Sequence, residues 1–410
     1  MDRIRLRFTG LTAYAATLIT TFTGLVFTVV ITRRLTAEEL GTWRYIGTLV
    51  SYFTIPVGLF GFWATRLTAA GEKVLKTLTA MAITLSTFAT AGFILLADIF
   101  SAPTGFTAAI FIAAALEIPS IYLYTSLESV AHAKKPHINY YAQLVQEFLK
   151  IPFAVVLVVV LRLGLLGAVA AAVAGFAARA LTMTYLLREF DWGAVSRRIA
   201  VRMLSALWLP VYQAGAGALI ALDTVIVVLL SGPEPAGYAA AVFLLGSLVS
   251  MSGTLAAGLY PKMLQESLGR DVENSISLVF MMAVPTAAGV VILGAPLLNV
   301  LRPEYSAAAT VLPVVVVHAV LFMFASMMDS VIAGGERVDY SENVSFQELV
   351  KSRLFLVPTL SYLQAFLYLP MLFAAISIIS PTDPTQVLAV WLTKPRNLHS
   401  IRALQNEDSA

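Results

Sequence analysis

Arg179 stands in the segment GFAARALTM, nine residues before Arg188 and inside a long apolar run. At 1.5 Å per helical residue that puts its guanidinium about 13 Å from the charged end of the run. A guanidinium at such depth binds phosphate oxygens in bidentate fashion, or it forms a structural ion pair with Glu117 or Asp223; both readings are open on the residues alone. Glu147 and Lys150 lie three apart in QLVQEFLKIP, with Gln143 and Gln146 on about the same helical face. That patch suits contact with a phosphorylated sugar, or an intrahelical pair with Lys150 reaching toward the interface. Glu117 lies two residues before Pro119, where a kink frees a backbone carbonyl and lets the carboxyl line a cavity. Asp223 lies in another apolar run and could bind a coupling proton or cation, or pair with Arg179. His318 and Asp329 carry less chemistry, a lone histidine being an ordinary core residue. His132 and His137 flank AKKP, whose lysines oppose a metal ion, and no metal site is expected.

The elements that must position these groups are apolar helices. Of the 410 residues, 59% are hydrophobic and 12% charged, against roughly 25% charged in a soluble protein. A spanning helix needs about 20 mostly apolar residues. Cutting the chain at charged and Pro/Gly clusters predicts spans at 11–32, 45–65, 78–97, 106–127, 142–161, 164–187, 204–230, 238–260, 277–298, 309–333 and 354–379. A further apolar piece, QVLAVWL at 386–392, is too short to cross alone. The fold class expected is therefore an all-α integral membrane bundle of about twelve transmembrane helices, eleven clear and the twelfth short. The first run is longer than a signal-peptide core and lacks a small-residue cleavage site, so it is read as a span that stays in place.

Positive residues concentrate on one side of alternate loops. Arg3, Arg5 and Arg7, then Arg66, Lys73 and Lys76, then Lys134 and Lys135, then Arg188, Arg197, Arg198 and Arg202 fall on the side predicted to be cytoplasmic, with the N-terminus. Arg33, Arg34, Arg44, Arg162 and Arg302 fall on the other. The loops leave no room for an extramembrane catalytic domain, which argues against a membrane glycosyltransferase or polymerase and against any enzyme. Neither a phosphate-binding G-x-x-x-x-G-K-[ST] nor an H-E-x-x-H occurs. There is no cysteine, so neither disulfide nor thiolate metal site is available. The net charge of +3 is placed by topology and does not argue for nucleic acid. The N-V-S at Asn343 matches a glycosylation acceptor but falls on the cytoplasmic side. In the first span Tyr14, Thr17, Thr21, Gly24 and Thr28 form one helical face, read as helix packing or as cavity lining.

RRLTAEELGTW at 33–43 has a counterpart, LLSGPEPAGYA at 229–239, and aligning Gly41 with Gly237 offsets the halves by 196 residues. An offset of six spans keeps both halves in one orientation, the parallel-repeat plan of many secondary transporters. The expected organisation is an N-terminal lobe 1–190, a cytoplasmic linker 191–203, a C-terminal lobe 204–393 and a polar tail 394–410.

The strings ITRRLTAEELGTW, ALDTVIVVLLSGPEPAGYAAA, AAGLYPKMLQ and LLNVLRPEYSAAATVLPVVVVHAVLFMFASMMDSVIAGGER carry a more specific signal. In order and spacing they resemble the polysaccharide and lipid-linked oligosaccharide flippases of the multidrug/oligosaccharidyl-lipid/polysaccharide exporter superfamily, over roughly the first 340 residues. The basic residue that often follows the seventh-span aspartate in that family is replaced here by Thr224. The resemblance implies a cytoplasmic-membrane flippase, working without a cofactor and as a monomer among membrane lipids. Its substrate would be a polyprenyl-phosphate-linked oligosaccharide, moved by alternating access with proton or sodium coupling. Arg179, Lys150, Glu147 and Glu117 are the expected cavity residues and Asp223 the coupling or gating residue. The rival expectation is a cation-coupled multidrug antiporter of the same superfamily.

Overall fold

The computed structural model describes residues 19–20, 22–135, 137–205, 207–256, 269–335, 353–378 and 384–392. Tyr14, Thr17, Thr21, Asn343 and the tail 394–410 lie outside the described residues. Helices account for every regular element among the described residues. In chain order the main ones are α1 (Phe22–Thr32), α2 (Ala37–Ala69), α3 (Leu75–Leu95), α4 (Ala108–Lys134), α5 (His137–Val160) and α6 (Gly164–Leu186). Then come α7 (Arg197–Ser205), α8 (Trp208–Ser231), α9 (Glu234–Ser250), α10 (Gly269–Leu301), α11 (Leu312–Gly335), α12 (Arg353–Ile378) and α13 (Pro384–Leu392). Among the described residues ten segments are long and apolar enough to cross a membrane. They overlap the second to eleventh spans expected from hydropathy. The first is described only in its second half, as α1. At nine residues α13 reaches only about 14 Å, short of a bilayer core.

The chain divides into two compact units. The first comprises Met1–Gly215 with Gly232–Gly237, and the second Ala216–Ser231 with Tyr238–Ala410.

The first unit is organised by helix ends and small residues. Thr36 caps α2: its hydroxyl accepts from the Glu39 amide at 3.1 Å, and Glu39 Oε2 accepts from the Thr36 amide at 2.8 Å. The other oxygen of Glu39 accepts from the Leu165 amide at 3.3 Å, so one carboxylate serves the starts of both α2 and α6. Thr36→Ala should cost about 1 kcal/mol, and Glu39→Ala more, because it uncaps two helices; thermal unfolding of the purified protein measures both.

Pro119 has no N–H to offer the carbonyl of Ala115, and α4 breaks at Leu116 into Ala108–Ala115 and Glu117–Lys134. Glu117 is thereby set at the start of a new helical segment. Pro152 lies inside α5, which loosens to a π turn over Val155–Val160. Toward the Ala69 end of α2, Leu67, Leu75, Leu78, Leu127, Ile138, Met183 and Met203 form a buried cluster that includes α7. The link from α6 to α7 is tied down by Lys76 N–H on the Trp192 carbonyl at 3.0 Å and by Asp191, which accepts from Lys73. That hydrogen bond, then one from the Gly193 amide, holds the exposed Asp191 carboxyl below its ordinary value.

In the second unit Tyr238 meets Tyr305 edge-on at 5.8 Å, and the Val315 side chain lies where a side chain at Gly246 would project. Trp391 of α13 is fully buried, and the Tyr368 hydroxyl of α12 donates to its carbonyl at 3.4 Å. Phe88, Leu181, Ile292 and Phe366 are exposed, as outward faces of membrane helices are, because the lipid supplies their apolar surroundings.

Candidate functional site

The polar residues of the first unit converge where α1, α2, α4, α5 and α6 meet. Gly175 of α6 makes this possible: a side chain there would press on Cβ of Lys150 and Cγ of Gln146. The close approach brings Arg179, one turn further along α6, against α5 and α4. Its Nη2 donates to Glu128 Oε2 at 2.9 Å, and its Nη1 to Gln146 Oε1 at 3.1 Å. The guanidinium lies 4.3 Å from the Tyr124 ring centre, and Tyr124 stacks on Phe176 at 6.0 Å. Its Nε is buried with no partner among the described residues.

Lys150, one turn after Gln146, donates to Glu147 Oε1 at 2.6 Å and lies 4.7 Å over the Phe27 ring. The other oxygen of Glu147 accepts from Thr23 of α1 at 3.3 Å. Gly24 leaves room for that carboxylate beside α1.

A cavity of about 190 Å³ opens inside this cluster, lined by Phe27, Trp43, Glu117, Gln146, Lys150 and Phe176, among others. Glu117 is 7% exposed, and no described donor reaches its carboxylate. The cluster as a whole holds two cations, Arg179 and Lys150, and three carboxylates, Glu117, Glu128 and Glu147. Each cation is paired, and the odd carboxylate faces the cavity. Charged groups inside a membrane are stable only when paired or facing a wet path, and both cations here are paired.

Four expected cavity residues are therefore brought together: Lys150 and Glu117 as lining of one cavity, Glu147 through Lys150, and Arg179 through Gln146. The ion pair of Arg179 differs from either partner expected, being made with Glu128. Glu128 falls one residue beyond the span expected at 106–127 and is not among the expected cavity residues. The signal was available: Glu117, Ile121, Tyr124 and Glu128 follow one another at spacings of four, three and four, a single helical face. Asp223 belongs to the second unit and is 7% exposed. Its Oδ1 accepts from the amide of Thr224 at 2.6 Å and from the Thr224 hydroxyl at 3.2 Å. His318 is half-buried and contacts the rings of Phe243 and Phe322. Among the described residues no group of histidines and carboxylates could hold a metal ion.

A second cavity, of about 420 Å³, follows the first along α2 and α4. Trp43 and Gly47 line the first, and Ser51, Thr54, Gly58 and Phe62 line the second. Their spacings of four, four, three, four and four put them on one face of α2.

Solved transporters share this arrangement of helices. An inward-facing multidrug-resistance MATE family transporter of the MOP superfamily superposes with a TM-score of 0.63 at 14% identity, over 93% of this chain and 94% of that one. The lipid II flippase MurJ in its inward closed conformation gives 0.66 at 8% identity, over 98% of this chain and 87% of that one. This is the fold of the MOP-superfamily transporters. A MOP transporter from Pyrococcus furiosus, described as having a binding pocket of reverse polarity, gives 0.55 at 13% identity, over 94% of this chain and 90% of that one. No protein-family model and no curated protein matches the sequence. The chain is thus a multi-pass membrane protein with a transporter fold.

Proposed function

We propose that this protein is a flippase that carries a polyprenyl-phosphate-linked oligosaccharide across the cytoplasmic membrane by alternating access, with its N-terminus in the cytoplasm. The observation that carries the reading is the face of α2. From Trp43 to Phe62 it lines two cavities in succession, over about 29 Å at 1.5 Å per residue. That matches a hydrocarbon core of about 30 Å. A track of this length, mostly apolar with the hydroxyls of Ser51 and Thr54 near its middle, suits a long headgroup whose lipid tail stays in the bilayer. Arg179 and Lys150 would take the phosphate, exchanging part of their contact with Glu128 and Glu147 for phosphate oxygens. Asp223 would serve coupling or gating in the second unit.

A second reading, cation-coupled export of organic cations, is favoured by Glu117. Its carboxylate has no described hydrogen-bond donor and shares a cavity with Phe27, Trp43 and Phe176, a lining that suits a cation. Proteoliposomes separate the two. The flippase reading expects a labelled polyprenyl-pyrophosphate-linked sugar to change leaflets. Exchange of a lipophilic organic cation against protons or sodium, abolished by Glu117→Gln and without any movement of the lipid-linked sugar, would overturn it.

A further inference from the structure

We infer that the larger cavity is a subsite for an uncharged pyranose, the sugar attached directly to the lipid phosphate. The inference rests on the flippase reading and names what that track recognises at one place. Among the described residues no charged side chain lines this cavity. Its polar groups are the hydroxyls of Ser51, Thr54 and Thr125 and the amide of Gln213, set among apolar side chains such as Ile55 and Ile121. Its volume of about 420 Å³ falls within the range of small-molecule sites, about 300–1,000 Å³.

The state of those polar groups points to a ligand rich in hydroxyls. Ser51 donates its hydroxyl proton to the Thr48 carbonyl at 2.6 Å, and Thr54 donates to the Val50 carbonyl at 3.0 Å. With their protons committed to the helix, both oxygens remain as acceptors. The amide of Gln213 offers two donors and an acceptor. Sugar hydroxyls, which donate and accept, match this set, while a carboxylate or phosphate would find few free donors and no cation. The apolar residues between the polar ones meet the C–H faces of a pyranose ring.

Position sets which sugar is read. Gly47 lines the charged cavity and Ser51 the neutral one, one helical turn and about 6 Å apart along α2. A headgroup whose phosphate lies by Lys150 therefore presents its first sugar to Ser51 and Thr54. Gly58 makes the space: among the described residues nothing lies within 4 Å of where its Cβ would stand. A larger residue there fills the cavity without pressing on the fold.

The experiment measures equilibrium binding of tritiated polyprenyl pyrophosphate to the full-length protein in nanodiscs, bare and bearing a single glucose, galactose or glucuronic acid. Wild type should bind at least one neutral glycoside about tenfold more tightly than the bare pyrophosphate, the yield of two net hydrogen bonds of about 0.5–1.5 kcal/mol each. The glucuronide should gain nothing. In Gly58→Leu, and separately in Thr54→Val/Gln213→Leu, the preference should fall to about one. Equal wild-type affinity for all four probes, a preference for the glucuronide, or a neutral-sugar preference that survives both variants would overturn the subsite. Leaflet exchange is followed on the same samples. Its absence in wild type would refute the flippase reading, while the binding ratios still decide the subsite.

Discussion

Replacing Arg179 by alanine should abolish transport and lower stability by about 1.5–3 kcal/mol, the worth of a charge-assisted hydrogen bond in this partly buried pair. The loss is large because the deletion leaves Glu128 without its cation and Gln146 Oε1 without its donor. Stability loss alone would not separate a phosphate-binding role from a structural one. The double variant Arg179→Ala/Glu128→Ala does. It removes both charges, so the cost of an unpaired carboxylate disappears and part of the stability should return. If the guanidinium also binds the substrate phosphate, this folded double variant still fails to transport. A double variant that is stable and transports like wild type would reduce Arg179 to a structural residue. Arg179→Lys sharpens the point: it keeps the charge but not the planar fork that reaches Glu128 and Gln146 at once. It should retain part of the stability and little of the transport. Unfolding in detergent and flipping in proteoliposomes, measured on the same preparations, give both quantities.

Much of this architecture is written in the sequence because hydrocarbon imposes it. Each described spanning helix coincides with an apolar run of the length a bilayer requires. Of the charged residues within those runs, Glu117, Glu147, Lys150 and Arg179 gather in one cluster, while Asp223 belongs to the second unit. Periodicity tells which residues share a helix face, but not which neighbouring helix that face meets. That is why Glu128 escaped notice: its i,i+11 relation to Glu117 is local, while its pairing with Arg179 spans 51 residues and depends on how α4 and α6 are rotated. The cavities were likewise invisible, since they arise from missing side chains at Gly47 and Gly58. A glycine in an apolar run reads the same whether it faces open space or another backbone.

Three glycines of α2 turn that ambiguity into a prediction of opposite sign. The hairpin repeat relates Gly41 to Gly237 and Ala37 to Pro233, each pair separated by the same 196 positions. The structure shows a reciprocal contact. A Cβ on Gly41 would collide with the backbone carbonyl of Pro233, and one on Gly237 with that of Ala37. Each glycine thus meets the residue four positions before the other, which is the mark of a two-fold relation between the hairpins. The obstructing atoms are main-chain atoms at helix starts, so no side chain can swing aside. Gly41→Ala should destabilise by about 1–3 kcal/mol or more, the cost of overpacking. Gly237→Ala should do the same, and the double variant should cost less than the sum, because the first already forces the two hairpins apart. Gly47 and Gly58 are in the same helix, and among the described residues nothing lies within 4 Å of their Cβ positions. Gly47→Ala and Gly58→Ala should stabilise by about 0.5–1 kcal/mol through the restored helix propensity. Thermal unfolding of the four single variants tests the pattern. Equal effects at Gly41 and Gly47 would mean that the hairpin contact carries no load. A strict split would tie the sequence repeat to a packed two-fold contact.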